Sequence, residues 1–175
     1  KKKYYFIGAR KDRDFCKGLK IVEEKELEKS KFILNLGLNE GEVVNKYIKI
    51  LNKAAKMSLL MICVNPDLEI VRGKRKEICA GALALKYKEM GGRVKYFGKP
   101  YTDIYEETMI KARIKDKDKI LAVGDSLRTD ILGANNFKID SALVLTGIHK
   151  KIKEIEKICK KTNIYPKFLF NTLKW

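Results

Sequence analysis

Short apolar runs alternate with amphipathic stretches along most of this 175-residue chain, and the alternation predicts strands separated by helices. The predicted strands cover residues 4–8, 31–36, 59–64, 93–97, 119–123 and 141–145, each ending close to a turn or loop signal. The fold class is therefore α/β. Between the second and third strands a helix opens at Asn39, with Glu42 three residues on, a spacing suited to reciprocal capping. Its inner face reads Val43, Tyr47, Leu51 and Ala54 or Ala55, and Met57 and Ser58 close it. Asn65-Pro66-Asp67 breaks the third strand, because proline restricts the residue before it and cannot donate to a ladder. A charged loop containing Gly73 then leads into a helix over about 76–90 that stops at Gly91-Gly92. This places a boundary near residue 75, with one unit over 1–75 and a second over 76–175. From Gly92 onward strands and helices alternate as they do in parallel sheets threaded by right-handed crossovers.

Length and composition narrow the class. The chain is long enough to bury a core, and no apolar run approaches the roughly 20 residues of a bilayer span, so no membrane insertion is expected. Lys1-Lys2-Lys3 leads straight into Tyr4-Tyr5-Phe6-Ile7 without the apolar region of a secretory signal, and the first residue is not Met. The start reads as cut, not addressed. Cys16, Cys63, Cys79 and Cys159 stand far apart with no C-x-x-C pair, which points to a reduced, cytoplasmic interior. A net charge of +17 raises nucleic acid as a partner. Against it, only 7 of the 39 basic residues are arginine, and the 32 lysines are scattered along the chain. A reader of bases would offer arginine forks and exposed stacking aromatics, so no nucleic-acid partner is expected.

Two segments can carry chemistry. The apolar run Ile120-Leu121-Ala122-Val123 ends in Gly124-Asp125, which puts the Asp125 carboxylate at the carboxyl end of a buried strand, where open α/β sheets bind ligands. Asp130 falls at the start of the next helix, so the loop can turn both acids toward one site, as a hard cation such as Mg²⁺ requires. Taken alone, the same residues also fit a turn at Asp125 and a helix cap at Asp130. The second segment, Arg93 to Phe97, is a strand ending in Gly98-Lys99-Pro100, with Thr102 and Asp103 opening the following helix. Lys99 thus also stands at a strand's carboxyl end, where an ammonium can hold a phosphoryl group.

Together these segments resemble the third and fourth motifs of the haloacid dehalogenase superfamily, in the branch with a type IIA cap called NagD-like. Asn65-Pro66-Asp67, Cys79-Ala80-Gly81-Ala82-Leu83-Ala84, Gly91-Gly92 and Gly98-Lys99-Pro100 follow in the order that branch uses. The stretch 4–37 looks like the entry into its cap. The resemblance implies a C2-type α/β cap over 1–75 and the carboxyl-terminal half of a Rossmann-like core over 76–175. It implies that Lys99 contacts the phosphoryl group, that Asp125 binds Mg²⁺, and that Asp130 supports the metal and its waters. In this branch the cap lies over the active site and selects the substrate, so the loop around Asn65 and Asp67 is a candidate selector. A plain structural turn explains the same loop equally well.

The superfamily's nucleophile is the first aspartate of an Asp-x-Asp motif behind an apolar strand. Asp12-Arg13-Asp14 has the spelling but sits in a charged stretch without the following small-residue pattern. The serine or threonine of the second motif is missing too, since Ser30 follows a charged run. His149 is the single histidine, with no cysteine nearby to make a zinc site. Residues 168–170 and Trp175 fit packing at a sheet edge or, as an exposed patch, an interface. The expectation is a truncated Mg²⁺-dependent phosphate monoester hydrolase acting on a small phosphorylated metabolite. Alone it should be inactive, either as a decayed remnant or as a piece that works when a separate amino-terminal fragment restores the missing strands. The alternative is a non-catalytic remnant that binds a phosphate ligand or a protein.

Overall fold

Each apolar run of the sequence becomes a strand of a parallel sheet. The computed structural model describes residues 1–72, 75–145 and 152–173. Its strands are β1 (Lys2–Ile7), β2 (Ile21–Glu24), β3 (Phe32–Asn35), β4 (Leu60–Cys63), β5 (Glu69–Arg72), β6 (Arg75–Ile78), β7 (Arg93–Tyr96), β8 (Leu121–Gly124), β9 (Asp140–Val144) and β10 (Phe168–Phe170). The α-helices are α1 (Ile48–Lys56), α2 (Ala80–Glu89), α3 (Thr102–Ala112), α4 (Leu132–Phe137) and α5 (Ile152–Thr162). The chain divides into two compact units, Lys1–Phe97 and Gly98–Trp175.

In the first unit five parallel strands run in the order β2-β1-β3-β4-β7. The register aligns Ile7, Asn35, Cys63 and Tyr96, so four strands end level and their following loops leave from one rim. Ile33 and Met61 from the sheet, Leu51 and Ala54 from α1, and Leu83, Ala84 and Tyr87 from α2 form one buried cluster. That cluster corrects the boundary expected near residue 75. Helix α2 packs in the core of the first unit and β7 pairs with β4, so the division falls between Phe97 and Gly98.

Two local expectations also change. The helix expected over about 76–90 begins at Ala80, because Arg75–Ile78 pairs antiparallel with Glu69–Arg72 as a hairpin and Cys79 is still extended. The Asn39 signal does operate, since the Asn39 N–H donates to Glu42 Oε2 at 3.1 Å. The helix nevertheless starts later, through a 3₁₀ turn at Val44–Tyr47 that runs into α1. Gly41 takes a φ of +75°, which bends the chain between the cap and the helix. Val43 is accordingly 53% exposed, not part of the inner face, while Leu51 and Ala54 are fully buried. Met57 ends the helix and Ser58 turns left-handed, as the sequence suggests.

The phenol of Tyr87 is buried beneath Gly92 and donates to the Leu59 carbonyl at 2.7 Å, tying α2 to the start of β4. Tyr87→Phe keeps the ring but leaves that carbonyl short of a donor, and it should destabilise the chain by about 1–2 kcal/mol. Urea unfolding measures this; an unchanged midpoint would show that the bond contributes nothing net.

In the second unit three parallel strands run in the order β10-β9-β8. One face carries Leu127, Ile131, Leu143, Ile155 and Cys159, and a second cluster joins Ala134, Phe137 and Ile139 to Tyr105, Met109 and Ala122. Residues 168–170 form the edge strand β10, with side chains exposed on both faces. Among the described residues β8 pairs with β9 alone, and Leu121 and Val123 are 47% and 44% exposed. Strands of parallel sheets are normally covered on both faces, so this pattern is unusual. No helix among the described residues is long and apolar enough to cross a membrane.

Candidate functional site

The site is built at the carboxyl end of β8, where an apolar strand stops at a residue without a side chain. Gly124 is required there: a methyl group at this position would lie 2.1 Å from Cγ of Asp130. The Asp130 carboxylate fills that space and is 6% exposed. Burying a carboxylate is unfavourable unless its lone pairs are satisfied. Here Oδ2 accepts from the backbone N–H of Asp125 and of Ser126, both at 3.1 Å, and Oδ1 takes the ammonium of Lys99. Asp130 thus folds the Asp125 loop back onto the helix and pins Lys99 to the same point.

The helical segment after β8 starts as a π-helical turn over Leu127–Ile131 and continues as α4. Ser126 is its cap, the Oγ accepting from Thr129 N at 3.4 Å. The helix-cap role weighed for Asp130 belongs to Ser126 instead, and Asp130 stands inside the turn with its carboxylate directed back at the strand. Lys99 comes from the loop after β7. Tyr101 N donates to Gly98 O at 3.0 Å to close that loop, and Asn136 Nδ2 donates to Pro100 O at 3.3 Å to tie it to α4. Gly98 has a φ of +101°, a conformation that favours glycine.

The structure therefore brings together three of the five candidate residues, Lys99, Asp125 and Asp130. Asn65 and Asp67 belong to the other unit. There the Asn65 side chain accepts from Asp67 N at 3.1 Å, and Asp67 O accepts from Gly81 N at 3.0 Å, so both build the turn that seats the first turn of α2. Asn35, fully buried at the end of β3, donates to Ala80 O at 2.9 Å and accepts from Gly37 N at 3.1 Å, anchoring the same helix end. Asp12 and Asp14 lie in a 3₁₀ turn over Arg10–Cys16, and Ser30 is buried with its hydroxyl on Glu26 O. None of the four cysteines forms a disulfide. His149 and Trp175 lie outside the described residues.

Two groups beside the site escape sequence reasoning. Tyr105, on α3, and Thr129 both have a buried hydroxyl oxygen with no hydrogen-bond partner among the described residues. Burial first and the Asp130 charge second push the Tyr105 phenol up to about 12. A tyrosine one turn into a helix is indistinguishable in sequence from a packing residue. The glycine one helical turn beyond Asp130, Gly133, is the sole hint that something bulky lies close.

Metal binding has a clear test in these contacts. Among the described residues no three acidic, histidine or cysteine side chains gather into a ligand cluster. Both oxygens of Asp130 accept hydrogen bonds, and Asp125 is the second carboxylate at this strand end. Mg²⁺ keeps several waters and takes only one or two carboxylates together with substrate phosphate oxygens, so this donor set fits it.

Comparison with known proteins points the same way. A family model described as HAD-hydrolase-like matches residues 96–174. A 4-nitrophenylphosphatase of Schizosaccharomyces pombe is 40% identical over 68 residues, which cover 38% of this chain and 22% of that protein. A haloacid dehalogenase-like hydrolase of Brucella suis superposes with a TM-score of 0.80 at 32% identity, covering 85% of this chain and 59% of that one. A possible sugar phosphatase of Cytophaga hutchinsonii superposes with a TM-score of 0.77 at 25% identity, covering 99% of this chain and 66% of that one. The chain thus spans about a fifth of the curated relative and about three-fifths to two-thirds of the two structures.

Proposed function

Because this chain belongs to the haloacid dehalogenase-like hydrolases, in their branch with a type IIA cap, we propose that Gly98–Trp175 is the phosphoryl-binding half of a cytoplasmic, Mg²⁺-dependent phosphate monoester hydrolase. The observation that carries the proposal is Asp130 holding, on its two oxygens, both the Lys99 ammonium and the backbone of the Asp125 loop. One buried carboxylate fixes the distance between a phosphoryl-binding cation and a metal-binding acid.

In this reading Lys99 holds the phosphoryl group of a small metabolite and offsets charge that grows on its oxygens during transfer. Asp130 keeps that ammonium oriented and braces the loop. Asp125 would hold Mg²⁺, with Asp130 supporting the metal through water. When bound, the cation neutralises phosphoryl oxygens and orients the group for in-line attack. One relative of this fold, the glycerol phosphate phosphatase of Mycobacterium tuberculosis, has structures in complex with calcium and with magnesium, which supports a divalent cation here. Lys1–Phe97 serves as the C2-type cap, with Asn65 and Asp67 as substrate-selecting residues.

In this reading the attacking aspartate is neither Asp12 nor Asp14, which follow Gly8-Ala9-Arg10-Lys11 in a 3₁₀ turn. Residues 1–175 by themselves should therefore be inactive, and an amino-terminal half bearing Asp-x-Asp would supply the attacking group. The one-sided pairing of β8 and the exposure of Leu121 and Val123 support an incoming parallel strand at that edge.

The experiment is to measure Mg²⁺-dependent release of nitrophenol from 4-nitrophenyl phosphate by the chain alone and by the chain with a supplied amino-terminal half bearing Asp-x-Asp. The lone chain should give only background and the pair should turn over. Substantial turnover by the lone chain would put the nucleophile inside it, with Asp12 or Asp14 the first to test. No turnover by a pair that forms a stable complex would favour the non-catalytic alternative.

A further inference from the structure

The Tyr105 side chain lies wholly within the second unit, its ring stacked on Phe137 with centroids 5.3 Å apart and planes 22° apart. Its hydroxyl end rests on Gly133, where a methyl group would come within 2.2 Å of the phenol oxygen. Phe137, Gly133 and Asp130 are spaced by four and three residues, which places them on one stripe of the helical segment running from the π-helical turn through α4. The phenol, with its ring on Phe137 and its oxygen on Gly133, therefore lies over the stripe that Asp130 begins. The Asp130 charge is felt at the phenol, which stays protonated at neutral pH and so remains a donor.

Buried hydroxyls in folded proteins are nearly always paired, and one without a partner calls for an explanation. The Tyr105 hydroxyl has none among the described residues, although the Asp130 charge acts on it. Lys99 holds Oδ1 of Asp130, and two backbone N–H groups hold Oδ2. If the ammonium turned toward another anion, Asp130 would be left as a buried charge short of one strong donor. That loss is costly, and the Asp125 loop hangs on the same carboxylate.

We propose that Tyr105 is a positioning residue for this site: when a phosphoryl anion draws the Lys99 ammonium off Asp130, the Tyr105 hydroxyl donates to the carboxylate oxygen that the ammonium leaves. The proton stays on the phenol and no covalent bond changes. The exchange lets Lys99 serve the ligand without loosening Asp130, and so holds Asp125 and Ser126 in place while the phosphoryl group is bound. This inference rests on the reading of Lys99 as the phosphoryl contact.

The test uses the full chain labelled with ¹³Cζ-tyrosine, whose resonance reports hydrogen bonding at the phenol. Tyr105 is assigned by the signal lost in Tyr105→Phe. Removing the ammonium in Lys99→Met should move the Tyr105 resonance to that of a hydrogen-bonded phenol, and inorganic phosphate with Mg²⁺ should move the wild-type resonance the same way. Phosphate should bind Tyr105→Phe about 3- to 10-fold more weakly than wild type, the range of one lost hydrogen bond. A Tyr105 resonance that stays in place in Lys99→Met overturns the proposal. If phosphate fails to bind wild type while Lys99→Met still moves Tyr105, the reading of Lys99 fails and the donor role of Tyr105 stands. If phosphate binds and Tyr105 does not respond, the reading stands and the role falls.

Discussion

Asp125→Asn in the chain paired with its amino-terminal half should lower Mg²⁺-dependent hydrolysis of 4-nitrophenyl phosphate by at least about 100-fold, the scale seen when one electrostatic stabiliser is removed from an active site. Asparagine keeps the size of the side chain and the backbone N–H that donates to Asp130 at 3.1 Å. The loop should therefore survive, and the missing property is the negative charge that a hard cation needs. Raising the Mg²⁺ concentration should recover part of the rate in Asp125→Asn, because a weakened site is refilled by mass action. Glu156→Gln, an exposed change on α5, serves as the control and should leave the rate as it is. Equal turnover by Asp125→Asn and wild type would reject the metal role.

Gly81→Ala is expected to have the largest effect on stability. Its new methyl group would lie 2.2 Å from the carbonyl oxygen of Pro66 and 2.5 Å from that of Asp67. These are backbone atoms, and Asp67 O is also the acceptor for Gly81 N at 3.0 Å, so the methyl cannot enter without breaking the contact that seats α2. Overpacking of a closed site typically destabilises by about 1–3 kcal/mol, and loss of this hydrogen bond adds to it, so about 3 kcal/mol or more is expected. Urea unfolding followed by circular dichroism measures the shift. An unchanged midpoint would mean that α2 does not press on the Asn65 to Asp67 turn. If Asn65 and Asp67 also select substrate, Gly81→Ala should alter KM in the paired enzyme at temperatures where it remains folded.

The sequence by itself determined the α/β class and the site's two key segments. A short apolar run such as 120–123 that stops at a glycine reads as a strand, and a charged residue just after it, as at Asp125, falls at the strand's end. The order of Gly98-Lys99-Pro100 and Gly124-Asp125 was legible for the same reason. Strand pairing was not, because partners are chosen by packing between distant segments. Hence β7 lies beside β4, the division of the chain falls after Phe97, and the charged stretch 75–78 is a strand because Glu69–Arg72 is there to pair with it. The roles inside the site also required three dimensions. Only the folded chain puts the Asp130 carboxylate on the bare surface of Gly124 with Lys99 on one oxygen and two backbone donors on the other, and only there does the phenol of Tyr105 come to rest on Gly133. Hydrogen bonds depend on direction and on distances of a few ångströms, which residue order does not encode until close packing has fixed every neighbour.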